Sequence, residues 1–275
     1  MKKLFFITFT VFCMISCTTK PKIKKYTFKS TANVATLNLS LPTGEIDICG
    51  WNNSFIEINA TNHIYSPIFY EQNLIKFQTE EISKTFNLTV DMMKSLVDAE
   101  ITLQIKVPFY LHSLNISTDS ATCNITDTFG NFNFNGEKST VNGDFKNSIV
   151  KINLIDGNIN ATFDITLSTD VLLLNEQGDT NINIIKTGEN SFINAKTYNG
   201  NINLVLNTAV PYLLVSSASV PHILNFLTSS PKIFENNNYQ LFINNASNDT
   251  FKTQIFLNNQ SGKTKISNAF FIDIN

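Results

Sequence analysis

Three short stretches of this chain repeat one word. "IDGNINATF" at Ile155–Phe163, "QGDTNINII" at Gln177–Ile185 and "TYNGNINLVL" at Thr197–Leu206 each set a glycine ahead of alternating polar and apolar residues. Gly157, Gly178 and Gly200 are 21 and 22 residues apart, and Gly136 lies another 21 before Gly157. Alternation with period two is the mark of a strand with one buried face. A constant interval near 20 residues means that successive units can stack on copies of themselves. One unit cannot bury its apolar side alone, but a stack can. The expected fold is all-β: a single-chain β-solenoid, parallel β-helix-like, with irregular β caps at both ends. In it Ile159, Ile182 and Ile202 point inward as stacked rungs, and Asn160, Asn183 and Asn203 point outward. Glycine recurs because a corner needs positive φ or close backbone approach. Asparagine recurs because its amide can pair along the stack or with the turn backbone. A β-sandwich or meander also accommodates many short strands between turn residues; the regular glycine interval favours the solenoid.

The same alternation covers most of the rest, as in "TLNLSL" at Thr36–Leu41, "EIDI" at Glu45–Ile48 and "EITLQIKV" at Glu100–Val107. Open strand edges at the ends of a stack invite association, so atypical sequence should cap them. Tyr26–Pro108 is the expected N-terminal cap and Phe251–Ile274 the expected C-terminal one, with Phe270, Phe271 and Ile272 closing the core.

The chain opens with "MKKLFFITFTVFCMISC", in which Lys2 and Lys3 precede an apolar run from Leu4 to Ile15. That is the layout of a secretory signal, short for a membrane span. The ending "MISC" resembles a bacterial lipobox, which implies cleavage before Cys17 and lipid attachment to it. The expected organisation is residues 1–16 as lipoprotein signal peptide, 17–25 as tether and 26–275 as one domain held at the cell envelope, at the outer membrane or the cell surface. Cys49 and Cys123 remain, either as a disulfide of an exported protein or as buried thiols; the alternation around Cys123 favours the latter.

Charge and motifs narrow the chemistry. Every basic residue is lysine, which leaves no bidentate arginine clamp for phosphate or carboxylate. Without Lys2 and Lys3, 18 lysines face 22 acidic residues, a net charge of -4; no basic excess points to nucleic acid. His63, His112 and His222 lack partners at metal-ligand spacing. Glu80 and Glu81 alternate to opposite faces. Asp156, Gln177 and Asn199 hold equivalent places before successive glycines, and one acid between two amides suits an amide ladder better than a carboxylate pair. Phe129, Phe132, Phe134 and Phe145 read as core ladder residues, with sugar stacking as the alternative. Trp51, the only tryptophan, reads as packing. No catalytic residue, cofactor or metal is expected.

Three longer stretches resemble one family. "LPTGEIDICGWNNSFIEINA" at Leu41–Ala60 has a glycine-led strand, a Gly50-Trp51 corner and an alternating strand. "AEITLQIKVPFYLHSLNIST" at Ala99–Thr118 runs into Val107-Pro108, and "SGKTKIS" at Ser261–Ser267 repeats the glycine word near the end. In this order they resemble the bacterial putative-adhesin β-solenoid domain, a family of unknown function. Two departures stand out: Ala121 where a glycine is expected after Thr118, and Val210–Gln240, which lacks the ladder. The resemblance implies a fold and brings no catalytic residues. The expected role is a non-catalytic, lipid-anchored envelope protein, monomeric, that serves as an adhesin or binding scaffold with a glycan or protein ligand on the solenoid face. A glycan-active enzyme on a β-helix, or an envelope-stress regulatory partner, are the competing readings.

Overall fold

The alternating segments form strands because each turns one continuous apolar face to the core while its backbone pairs with its neighbours. The structure, a computed structural model, describes residues 22–65, 75–92, 99–146, 149–164, 168–186, 188, 190–207, 212–225, 232–235, 240–244 and 253–269; for 232–235, 241–244 and 269 the backbone alone is described. Among the described residues nineteen strands belong to one large, mostly parallel sheet and there is no helix.

The spine of the sheet is a series of in-register parallel pairings. β2 (Thr36–Trp51) pairs with β7 (Ser113–Thr126), β7 with β8 (Asn131–Phe145) and β8 with β9 (Ile149–Asp164). Each of these long strands has two arms about a central bend. Beyond β9 the arms become separate strands. β10 (Asp170–Gln177) and β11 (Thr180–Lys186) lie on the first and second arms of β9. β12 (Phe192–Asn199) and β13 (Ile202–Asn207) follow in the same manner. Every rung sends alternate residues into one core. Val150, Leu173, Ile193, Leu214 and Ile255 are all 0% exposed, and Phe132, Phe145 and Phe163 stack through it with ring centroids 5.3 and 5.7 Å apart.

The bends fall in one column. Gly44 stands opposite Ala121, Ser139 opposite Gly157, and Gly178 and Gly200 follow. A Cβ on Gly157 would lie 1.7 Å from the Ser139 carbonyl oxygen, and one on Gly178 would lie 1.8 Å from that of Gly157. With φ of 137° and 117° as well, these positions need glycine for both room and backbone conformation. Two rungs bend without it. Ser139 is buried, its hydroxyl 2.8 Å from that of Thr118, and it accepts the Ala121 N–H at 3.2 Å. Gly136 therefore is not a bend residue: it pairs with Leu154, three positions before the column, because these rungs repeat every 18 residues.

The residue after each glycine explains the repeated word. Asn158 Oδ1 accepts the Asp179 N–H at 3.0 Å, Asp179 Oδ1 accepts the Asn201 N–H at 2.8 Å, and Asn201 Oδ1 accepts the Lys263 N–H at 3.0 Å. Each polar side chain thus caps a backbone donor of the following rung.

Register also corrects the inward and outward sets. Ile159, Ile182 and Ile202 are all buried, but the residue level with Ile159 and Ile202 is Thr180, and the asparagine level with Asn160 and Asn203 is Asn181. Ile182 and Asn183 sit one alternation further on, beside Ala161 and Thr162. Thr180 is fully buried in the apolar column and its hydroxyl lies 3.0 Å from that of Thr197, also fully buried. Thr180→Val strands the Thr197 hydroxyl and should cost about 1–3 kcal/mol in urea unfolding. The double variant Thr180→Val/Thr197→Val should recover most of that loss; additive losses would contradict the pairing.

Both ends differ from expectation. Thr36–Trp51 lies inside the stack, and its outer side is covered by two antiparallel groups. β5 (Thr85–Met92) lies on its first arm and pairs with β4 (Ile75–Ile82). On its second arm β6 (Ala99–Pro108) pairs with β3 (Glu57–Ile64), which pairs with β1 (Lys22–Lys29). The outermost strands meet through Phe77, whose ring is 5.0 Å from Tyr26 and 5.5 Å from Phe28. Lys22–Lys25, read from sequence as tether, are already paired to β3; residues 1–21, including the signal segment and Cys17, lie outside the described residues.

At the other end the last strands are not a cap. β18 (Thr253–Ser261) lies between β12 and β14 (Tyr212–Ala218), parallel to both. β19 (Thr264–Ala269) lies likewise between β13 and β15 (Ile223–Asn225). Gly262 takes the bend position next to Gly200. The chain leaves one place in the stack empty, builds the next, and returns to fill it. Val210–Gln240, the stretch that lacked the ladder, supplies the rungs β14 and β15 and also β16 (Lys232–Glu235); outside β14 runs β17 (Gln240–Asn244), antiparallel to it, with β16 antiparallel on β17. Phe270, Phe271 and Ile272 lie outside the described residues.

Candidate binding face

The outward residues of the rungs form two asparagine ladders. On the first arm Asn38 Nδ2 donates to Asn87 Oδ1 at 2.8 Å, Asn115 to Asn38 at 2.8 Å and Asn133 to Asn115 at 2.7 Å. On the second arm Asn124 donates to Asp47 at 2.8 Å. Asn142 then donates to Asn124 at 2.9 Å, and Asn160, Asn181 and Asn203 each donate to the preceding member at 2.7 Å. In-register parallel pairing produces this, since equal residues lie level on adjacent rungs about 4.8 Å apart.

Every amide in both ladders points the same way, so their dipoles add head to tail. The N–H ends face the N-terminal end of the stack and the carbonyl ends face the other. Charged residues match this direction. Asp47 receives the donor end of the second ladder, and Glu80 pairs with Asn87 at the donor end of the first. Lys151 pairs with Asn133 and Lys265 with Asn203, next to the two free carbonyls. The rule is the one that governs helix ends, an anion at the donor end and a cation at the acceptor end.

A groove of about 430 Å³ runs over the second ladder, lined by Asn124, Asn142, Asn160, Asn181 and Asn203 with Thr126 and Thr162. A second of about 700 Å³ covers the first ladder between Glu80 and Asn135. Both are shallow and follow the stack axis, and their exposed surface mixes the ladder amides and threonines with a larger share of apolar atoms.

The other residues singled out from sequence are dispersed. Asp156, Gln177 and Asn199 are level with one another as expected, and Lys138 precedes them in the same column, so the rung neighbours of this carboxylate are an ammonium and an amide. Glu80 and Glu81 separate: Glu80 lines the groove, while Glu81 accepts the Thr31 N–H at 2.9 Å. Asp127 pairs with Lys146 at 2.6 Å, and this hydrogen bond raises the lysine pKa. His63 sits level with Glu100 in the antiparallel end, the His112 N–H donates to the Ala35 carbonyl, and His222 Nε2 lies 2.9 Å from the Ser216 hydroxyl. Among the described residues no group of three or more His, Cys, Asp or Glu could hold a metal ion.

Phe132, Phe134 and Phe145 are core residues, whereas Phe129 is 42% exposed and packs edge-on against Phe109 at 5.9 Å. Trp51 packs edge-on against Phe55 and donates its Nε1–H to the Phe55 carbonyl at 2.9 Å. Cys49 and Cys123 are free thiols. They stand three residues apart in register, since Cys123 is level with Ile46, and so point to opposite faces. Cys123 is fully buried; burial pushes its thiol pKa far up and the Asp47 charge adds to the effect. Cys49 is half-buried.

No family model and no curated protein matches the chain. Crystal structures similar in shape include the following three. A "putative cell adhesion protein" from Clostridium sporogenes ATCC 15579 matches at 13% identity and TM-score 0.40, over 90% of this chain and 100% of that one. A "putative adhesin" from Bacteroides fragilis NCTC 9343 matches at 13% identity and TM-score 0.49, over 90% and 97%. A "putative adhesin" from Parabacteroides merdae ATCC 43184 matches at 9% identity and TM-score 0.40, over 91% and 96%. These three structures are of bacterial proteins named as a putative cell adhesion protein or putative adhesins.

Proposed function

We propose that this chain is a β-solenoid binding module of the adhesin class, non-catalytic, exported and held at the cell envelope by lipid on Cys17. The observation that carries the reading is the pair of continuous asparagine ladders on the outward faces of a rigid, mostly parallel stack. A surface of this kind presents many equal polar groups in fixed positions, which suits extended contact with a ligand. Antiparallel strands cover both arms at the N-terminal end and the first arm at the other, where the last strand of the second arm is only three residues long, which supports action as a monomer. The "MISC" ending of the signal segment supports the anchor, since several acyl chains each contribute roughly 0.8 kcal/mol per buried methylene.

Two measurements test this. Cells fed an alkynyl palmitate should label the wild-type protein, and Cys17→Ala should abolish the label and release the protein from the membrane fraction; persistent labelling would remove the anchor. Deleting the gene should reduce adherence of the cells to glycan-coated or protein-coated surfaces, restored by the wild-type gene. Unchanged adherence on every surface would refute the adhesin role.

A further inference from the structure

The outward face of the second arm keeps hydrogen-bonding capacity that the ladder leaves unused. A carboxamide has two N–H donors and a carbonyl with two acceptor positions. Within the ladder each of Asn142, Asn160 and Asn181 spends one of each on its neighbours. These three residues are only half-buried, so the second donor and second acceptor face solvent. They recur at the rung interval of about 4.8 Å. Two residues away along the strands, roughly 7 Å to either side, lie Thr140 on one flank and Thr162 on the other, on the same face by alternation. The central column from Asn124 to Asn203 is uncharged; charges stand at its ends, on Asp47 and Lys265, and on both flanks, on Asp144 and on Asp179, whose Oδ1 accepts from Asn201.

The chemistry of the occupant follows from this pattern. An anionic polymer finds no arginine in the chain and no cation in the centre of the groove. A peptide strand adds to an open sheet edge, and this is the flat of the sheet. Sugar hydroxyls both donate and accept, so each can use the donor and the acceptor that one amide leaves free. A linear polymer repeats them along its length, as the ladder repeats its amides. We infer that the groove over Asn124–Asn203 binds an uncharged glycan chain lying along the stack axis. The inference rests on the binding-module reading above and adds to it a place and a ligand class.

The test uses the full-length protein in detergent, with cellohexaose, chitohexaose and mannohexaose as probes in isothermal titration calorimetry. At least one hexaose should bind. Asn142→Leu/Asn160→Leu should weaken it tenfold or more, whereas Asn115→Leu in the other ladder should leave it unchanged. If the double variant fails to fold, Thr162→Lys serves instead: it keeps every ladder amide, obstructs the groove, and should produce the same loss. Failure of all three hexaoses to bind, binding unaffected by the groove variants, or equal loss from Asn115→Leu would overturn the inference. Cells carrying a folded groove variant that adhere as well as wild type would overturn this site and leave the adhesin role standing. Loss of adherence in those cells together with loss of hexaose binding supports both.

Discussion

Gly178→Ala should destabilise the protein by about 3–5 kcal/mol, or roughly 6–20 °C in melting temperature for a domain of this size. The new methyl group would lie 1.8 Å from the Gly157 carbonyl oxygen and 2.8 Å from its carbonyl carbon. Both are backbone atoms, so no side chain can swing away. The φ of 117° adds strain that an L-residue does not relieve. Relaxation would have to pull adjacent rungs apart, and Gly178 also donates its N–H to Asn199 across the other interface at 2.8 Å. Ala121→Gly is the contrasting change in the same column. That bend already carries a side chain and lies outside the left-handed region, so the substitution should cost only about 0.5–1 kcal/mol through added chain freedom. Thermal melts followed by circular dichroism decide the matter: equal small losses at both positions would show that the glycine column is not a constraint.

Removing Thr253–Asn275 should have a larger effect still. These residues supply β18 and β19, each paired on both sides, and they bring Ile255, Leu257 and Ile266 into the core. Without them β12 and β13 present a full open edge, and β14 and β15 lose their parallel neighbours. Bare edges of this length recruit other chains, so the truncated protein should form oligomers or aggregates detectable by light scattering. Removing only residues 270–275 leaves every described pairing intact and should give a monomer. A monodisperse Thr253–Asn275 deletion with wild-type melting would contradict the interleaved order.

Much of this architecture was legible in the sequence because it is local. Period-two alternation marked the strands, and the glycine words marked four of the bends, including Gly262. Register is different, since a slip of one residue exchanges the two faces. Ile182 and Asn183 looked equivalent to Ile159 and Asn160 by resemblance of letters, but the bend at Gly178 is followed by Asp179 and Thr180 before the alternation resumes, and the pairing falls on Thr180 and Asn181. Gly136 matched a 21-residue interval by chance, because the rungs through Ala121 and Ser139 repeat every 18 and bend at an alanine and a serine in place of glycine. The second ladder was half visible: Asn160 and Asn203 stood out, while Asn124, Asn142 and Asp47 join it only through pairings across the stack. The late return of "SGKTKIS" could not be read at all. Its pattern says that it is a rung, and nothing local says between which neighbours it belongs.

That return separates the order in which the chain is made from the order in which it stacks. Synthesis at about 5–20 residues per second takes about 2–9 s to pass from Asn207 to Thr253. Throughout that interval the edge of β12 and β13 is complete and its partner does not yet exist, while β14, which alternates buried and outward residues in the same way, exists for all of it after Ala218. The strand that arrives first is thus the wrong one for the vacant place, and the native arrangement depends on leaving that place open until the final segment has been delivered.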